Sequence, residues 1–125
     1  MNLLLDTHVL LWVLSDERSI SNPARAAIEN AGNQVFVSAA TAWEIAIKRG
    51  LGKLNAPQNY LEALERYRFT PLDISSVHAL AVEHLPNHHN DPFDRLLIVQ
   101  ATLEGLTLVT RDERFDDYGI RILKA

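Results

Sequence analysis

Four acids stand where an acid is out of place. Asp6 abruptly ends the apolar run from Asn2 to Leu5, and Glu44 lies inside AATAWEIAI. Asp94 falls two residues after Pro92 in DPFDRLLIVQAT, and Asp112 follows the short run Leu106 to Val109 in LVTRDERF. A lone buried carboxylate is costly, whereas several are tolerable around a cation or a shared proton. The chain has no cysteine and no histidine pair at ligand spacing. A shared cation would therefore be a hard one, Mg²⁺ or Mn²⁺, held through one or two carboxylates and several waters. Such ions activate water and stabilise charge on a phosphoryl group, and the corresponding reaction is phosphodiester hydrolysis.

Each residue also has a plainer reading. Asp94 is an acid in a first helical turn, favoured there by the macrodipole, and Asp91 before it is a helix cap, which suffices without a metal role. Glu44 and Lys48 have the spacing of a solvated pair worth about 0.2–0.5 kcal/mol, although Ala40, Ile47 and Leu51 beside Glu44 favour a half-buried site. Thr7 and Thr110 can orient a carboxylate or serve turns and caps. His88 and His89 read as loop residues, His8 as a helix-surface or packing residue, and Trp12 and Trp43 as core anchors rather than stacking platforms. Lys48, Arg49, Lys53, Arg95 and Arg111 are available to the phosphates of a substrate, with ordinary solvated charges as the default.

The elements that position these acids follow from the apolar pattern. Asn2 to Leu5, Gln34 to Val37 and Leu106 to Val109 lack alternation and are short, as strands buried on both faces are. Phe69 to Leu72 and Gly119 to Leu123 read as further strands. Helical runs start at Thr7, at Ser21 with Pro23 (ending at Gly32), at Ser38 (to about Gly50), at Gln58 (to Arg68) and at Ser75 or Ser76 (through Leu85). The most apolar helix is predicted from Asp91 as N-cap, through Pro92, to a stop at Gly105. Strands alternating with helices predict a mostly parallel sheet covered on both faces, in which ligands bind beyond the carboxyl ends of the strands. All four acids can meet at that edge.

At 125 residues, 47% hydrophobic and 22% charged, the chain fits one domain, residues 1–125, with an ordinary core. The absence of cysteine suits a reducing cytosol. The apolar start is interrupted by Asp6 and His8 and lacks the features of a signal peptide, and no run approaches a membrane span. A soluble cytoplasmic protein is expected. The net charge of −4 argues against a generally basic nucleic-acid surface. Removing the four acids from the sixteen leaves twelve against twelve basic residues, so a phosphate-bearing substrate needs a bound cation or a local basic rim.

LLLDTHVLLW, SAATAWEIAIKRGLGKL, DPFDRLLIVQA and LVTRDERF, in that order, resemble a PIN-domain ribonuclease, and most closely the VapC-type toxins of bacterial and archaeal toxin–antitoxin pairs. The resemblance covers essentially the whole chain. It implies a PIN-like three-layer α/β/α sandwich and metal-dependent endonucleolytic cleavage of RNA, with transfer and ribosomal RNA the first classes to test. It also implies a homodimer and inhibition by a cognate antitoxin. Carried over residue by residue, the family's acids are Asp6, Glu44, Asp94 and Asp112. Asp6, Asp94 and Asp112 would hold Mg²⁺ or Mn²⁺ directly or through water, and Glu44 would help bind or orient the attacking water. Asp91, Asp116 and Asp117 are the alternatives that supplement or replace Asp112, and Trp12 and Val13 are candidates for the dimer surface. Two other functions stay open: a receiver-type phosphoacceptor domain with an acid pocket and Mg²⁺, and a non-catalytic RNA- or protein-binding module of the same fold.

Overall fold

The protein is described by a computed structural model covering residues 1–15, 19–54 and 56–125. Its strands are β1 (Asn2–Leu5), β2 (Gln34–Ser38), β3 (Thr70–Leu72), β4 (Thr107–Thr110) and β5 (Ile122–Lys124). They form a five-stranded sheet in the order β3-β2-β1-β4-β5, and every pairing is parallel. The α-helices are α1 (Thr7–Leu14), α2 (Asn22–Glu29), α3 (Ala39–Gly50), α4 (Tyr60–Arg66), α5 (Ser76–Ala81) and α6 (Pro92–Glu104), with 3₁₀ turns at Val82–His84 and Glu113–Tyr118.

Alternation along the central strands divides the core in two. Leu3, Leu5, Val35, Val37 and Val109 face one layer with Val9, Leu10, Tyr60, Leu64 and Phe69. Leu4 and Leu108 face the other with Leu96, Leu97, Ile98, Ala101 and Phe115. The three-layer sandwich expected from the sequence is the one observed. Both faces of β1 are covered from Leu3 to Leu5, which is why these three side chains are apolar without alternation.

The strand order places the site. The chain runs outward from β1 through β2 to β3, then crosses back to β4 on the other side of β1. The order therefore reverses between β1 and β4, where their carboxyl ends leave a crevice. The same order removes the receiver-type alternative, which requires the 2-1-3-4-5 arrangement with β3 between β1 and β4. Here β1 pairs directly with β4 and β3 is an edge strand.

Local chemistry explains where boundaries differ from the sequence reading. Ser38 both ends β2 and caps α3 as expected, its hydroxyl accepting from Ala40 N at 2.9 Å while donating to Gln100 at 2.5 Å. α2 stops at Glu29 rather than Gly32, because the Asn30 side chain takes the Gly32 amide at 2.8 Å and turns the chain. α5 ends at Ala81 and tightens into the 3₁₀ turn instead of continuing to Leu85. α6 matches expectation at both ends: Asp91 Oδ1 accepts from Phe93 N at 2.9 Å and Asp94 N at 3.1 Å. Gly105 closes it at φ 66°, in the left-handed region that favours glycine. Among the described residues no helix is long and apolar enough to cross a membrane.

Candidate active site at the carboxyl ends of β1 and β4

Asp6 directly follows β1 and is the N-cap of α1, with Oδ1 accepting from Val9 N at 2.9 Å. Its Oδ2 accepts the Thr110 hydroxyl from the end of β4, and its own amide donates to Val109 O at 3.1 Å. The strand that supplies the acid is thus fastened to its neighbour at the site itself. Burial pushes the Asp6 carboxyl above its ordinary range, and the hydrogen bonds from Thr110 and Val9 oppose that rise.

Glu44 comes from the second turn of α3 and is 4% exposed. Its Oε1 accepts the Thr7 hydroxyl at 2.7 Å, and its Oε2 accepts Lys48 Nζ at 2.5 Å. Both sequence readings hold at once: the i, i+4 pair exists, and its acidic end is buried. The bond to Glu44 raises the Lys48 ammonium above its usual range.

Asp94 sits in the first turn of α6 with its side chain 14% exposed. Its carboxyl is pushed up to about 7, first by burial and then by the charges of Asp91, Glu44 and Asp6, with Arg114 opposing. The acid that follows β1 and the acid of α3 therefore both act on Asp94 across the crevice. Asp112 lies two residues beyond β4 and is joined to Asp94 through Arg114. The Arg114 guanidinium donates to Asp112 Oδ2 at 2.6 Å and to Asp94 Oδ2 at 3.3 Å, and it holds the Asp112 carboxyl below the ordinary range. Asp116 is turned away and paired with Lys124 on β5 at 2.6 Å, while Asp117 is exposed.

The sequence reading passed over Arg114, which touches two of the four acids. The available signal was its spacing: Asp112 caps the 3₁₀ turn by accepting from Arg114 N at 2.9 Å, which returns the Arg114 side chain onto the cap. The basic residues singled out from sequence behave differently. Arg49 donates to Pro57 O, Arg95 to the carbonyls of Leu85, Pro86 and His89, and Arg111 to those of Ser19 and Ala125. These guanidiniums staple loops, Lys48 is bound to Glu44, and Lys53 is exposed. Trp43 is no core anchor, being 55% exposed with Phe93 edge-on at 5.1 Å. His88 and His89 pack on Tyr118, as loop residues do.

Among the described residues no group of three or more histidine or acidic side chains is placed to hold a metal ion. Arg114 spans Asp94 and Asp112, and Glu44 is committed to Thr7 and Lys48. Asp6, held by Val9 and Thr110, and Asp94, with Arg114 at 3.3 Å, are the two hard oxygen donors whose pKa values are raised by burial. Two such carboxylates suit the chemistry of Mg²⁺ or Mn²⁺ with water completing the shell, since a divalent cation would favour the charged form that burial opposes in both.

Two expected results arise from this geometry. A carboxyl whose folded-state pKa lies above its unfolded value favours the fold while protonated, fully below about pH 3.8, and that contribution is lost as pH rises through 7. In EDTA at pH 8, Asp94→Asn is expected to melt about 3–6 °C above the wild type, as a gain of about 1 kcal/mol gives in a chain of this size. The difference should shrink towards pH 5. Equal melting curves at pH 8 would show that Asp94 is not held against its charge. Asp91→Ala should cost about 1 kcal/mol in urea denaturation and Asp91→Asn much less, because the side chain is a cap for two amides. A cleavage loss in Asp91→Asn matching that of Asp94→Asn would instead make Asp91 a ligand.

The PIN domain family's sequence model matches residues 3–120. Ribonuclease VapC22 of Mycobacterium tuberculosis (strain ATCC 25618 / H37Rv) is 33% identical over 118 residues, covering 89% of this chain and 87% of that protein. The fold is similar to the crystal structure of VapBC2 from Rickettsia felis bound to a DNA fragment from their promoter. There the TM-score is 0.73 at 18% identity, covering 99% of this chain and 98% of that one. It is also similar to DNA-bound VapBC from Salmonella typhimurium, with a TM-score of 0.71 at 22% identity over 99% and 98% of the two chains. With the match spanning both halves of the crevice, from β1 to the turn after β4, the chain belongs to the PIN domain family.

Proposed function

We propose that this PIN domain is a Mg²⁺- or Mn²⁺-dependent endoribonuclease and the toxin of a toxin–antitoxin pair, acting on cytoplasmic RNA. The observation that supports the reading is that hydrogen bonds tie the acids of separate elements together at one sheet edge: Thr110 joins Asp6 to the Asp112 amide, Arg114 joins Asp112 to Asp94, and Thr7, next to Asp6, binds Glu44. A structural acid gains nothing from such company, whereas a cation site needs it. The similar mycobacterial protein is named a ribonuclease, and the similar solved structures are VapBC assemblies, which supports the nuclease and the antitoxin respectively.

Asp6 and Asp94 would hold the ion, with Asp112 reaching it through water or after release from Arg114. When bound, the ion supplies Lewis acidity towards the phosphoryl oxygens and activates water. The protein's own groups then divide the remaining work. Thr110 and Val9 fix the Asp6 carboxylate, and Thr7 and Lys48 fix Glu44, whose unused lone pairs can accept from the attacking water and orient it. Lys48 and Arg114 bring positive charge to an otherwise acidic crevice, which lowers the repulsion an RNA phosphate meets there.

The test is incubation of the purified chain with mixed transfer and ribosomal RNA in Mg²⁺, Mn²⁺ or EDTA. Discrete fragments appearing with either ion and absent in EDTA are expected. RNA binding in Mn²⁺ without cleavage would instead favour the non-catalytic module. The proposed homodimer has exposed apolar side chains to bury at Trp43 and Ile47 on α3, at Leu51 just after it, and at Val77 and Leu80 on α5. Trp12 and Val13, the candidates from the sequence, are half-buried against the first core layer and so offer less exposed apolar surface.

A further inference from the structure

Beside Asp6 and Asp112 the crevice continues into a recess of about 230 Å³, lined by these two acids and by His8, Trp12 and Arg111. His8 and Trp12 are four residues apart on α1 and so share a face, with ring centroids 6.2 Å apart and planes tilted by 44°. The Arg111 guanidinium carbon lies 4.3 Å from the centroid of the Trp12 ring. That guanidinium is fixed from behind, since Nη2 donates to the carbonyls of Ser19 at 2.5 Å and Ala125 at 3.0 Å. Among the described residues only Nη2 is so used. The walls are therefore flat, π-rich and already immobilised, and they carry further N–H donors of a planar cation.

The occupant follows from that chemistry. A free anion or an acidic side chain is opposed by Asp6 and Asp112 on the same wall. An aliphatic side chain would desolvate Arg111 and both acids without pairing them. A nucleobase is uncharged, stacks on aromatic and guanidinium planes, offers ring and carbonyl acceptors to Arg111 and keeps its own phosphate outside, towards Asp94. Only a base out of the helical stack presents its face, since duplex RNA shows edges and backbone.

We propose that the His8–Trp12–Arg111 recess is a subsite for one unpaired nucleobase of the RNA, adjoining the phosphodiester that is cut; the reference to cutting rests on the nuclease reading above. The base is gripped by stacking with Trp12 and His8 and by hydrogen bonds from Arg111, and the recess makes cleavage depend on the nucleotide beside the cut. Trp43, edge-on to Phe93 of α6, does not line this recess.

The experiment uses the full chain labelled at its indole nitrogens, titrated in EDTA with each nucleoside 5′-monophosphate and, separately, with inorganic phosphate. Saturable movement of the Trp12 signal by mononucleotides and not by phosphate is expected, with the Trp43 signal still. In the Asp94→Asn background, Trp12→Leu should weaken binding of a mixed single-stranded RNA decamer about 5–100-fold, the range of a lost base–aromatic stack. Trp12→Phe should restore most of it, which a mere packing defect would not predict. A Trp12 signal that ignores millimolar mononucleotides, or decamer affinity unchanged in folded Trp12→Leu, overturns the proposal. Metal-dependent cleavage by the wild type alongside that failure removes the subsite alone. Trp12-dependent binding with no cleavage by the wild type in Mn²⁺ removes the nuclease reading and keeps the subsite.

Discussion

Asp94→Asn is expected to lower metal-dependent cleavage of mixed transfer and ribosomal RNA by more than about 100-fold, because even groups standing behind a metal ligand are worth about 10–100-fold. The fold should survive. The Asp94 backbone amide is held by Asp91, the α6 side chains from Leu96 to Ala101 stay buried, and the substitution removes a charge the folded protein holds at a cost. Activity and stability therefore move in opposite directions, cleavage falling while the metal-free melting temperature at pH 8 rises. That opposition separates a functional acid from a structural one, since loss of a structural acid lowers both. Asp6→Asn is a weaker test of the same idea, because Asp6 also caps α1 through Val9 and its amide form keeps only part of that role. Full turnover by folded Asp94→Asn would remove it from the mechanism and direct attention to Asp112.

The fold was legible because the central strands carry so plain a signal. Leu3, Leu4 and Leu5 are apolar without alternation since both faces of β1 are covered, and Asp91, Pro92 and Gly105 punctuate α6 where their backbone chemistry requires. The positions of Asp6 and Asp94 were legible for the same reason, as acids interrupting or opening buried elements. What could not be read was which partners each side chain chooses. Arg114 and Asp112 are local neighbours in an exposed turn, where composition carries no pattern, yet the guanidinium reaches Asp94 on another layer. Arg95 and Arg111 looked like solvated cations because their acceptors are backbone carbonyls, which have no residue type to recognise. Trp43 looked like core because α3 is apolar nearly all round, and only its packing on α6 decides which side of the helix is left facing outward.

Thr110→Val is expected to reduce Mn²⁺ affinity about 10–100-fold without removing any carboxylate. The Thr110 hydroxyl donates to Asp6 Oδ2 and accepts from the Asp112 amide at 3.0 Å, so one oxygen at the end of β4 serves two of the acids. Its hydrogen bond is the strongest influence holding the Asp6 carboxyl down against burial. Without it that pKa rises further, and a proton competes with the cation up to a higher pH. The loss of affinity should therefore be greatest at low pH and shrink as pH increases, and the ascending limb of the cleavage profile should move to higher pH. Thr110→Ser keeps the hydroxyl and should restore both, whereas a purely steric role for the Thr110 methyl group predicts that Val is the better replacement. A pH profile of Thr110→Val that superimposes on the wild type would mean that the hydroxyl positions the backbone after β4 and leaves the Asp6 charge untouched. The discriminating quantity is the direction of the pH shift, because a general loosening of the fold lowers affinity at every pH alike.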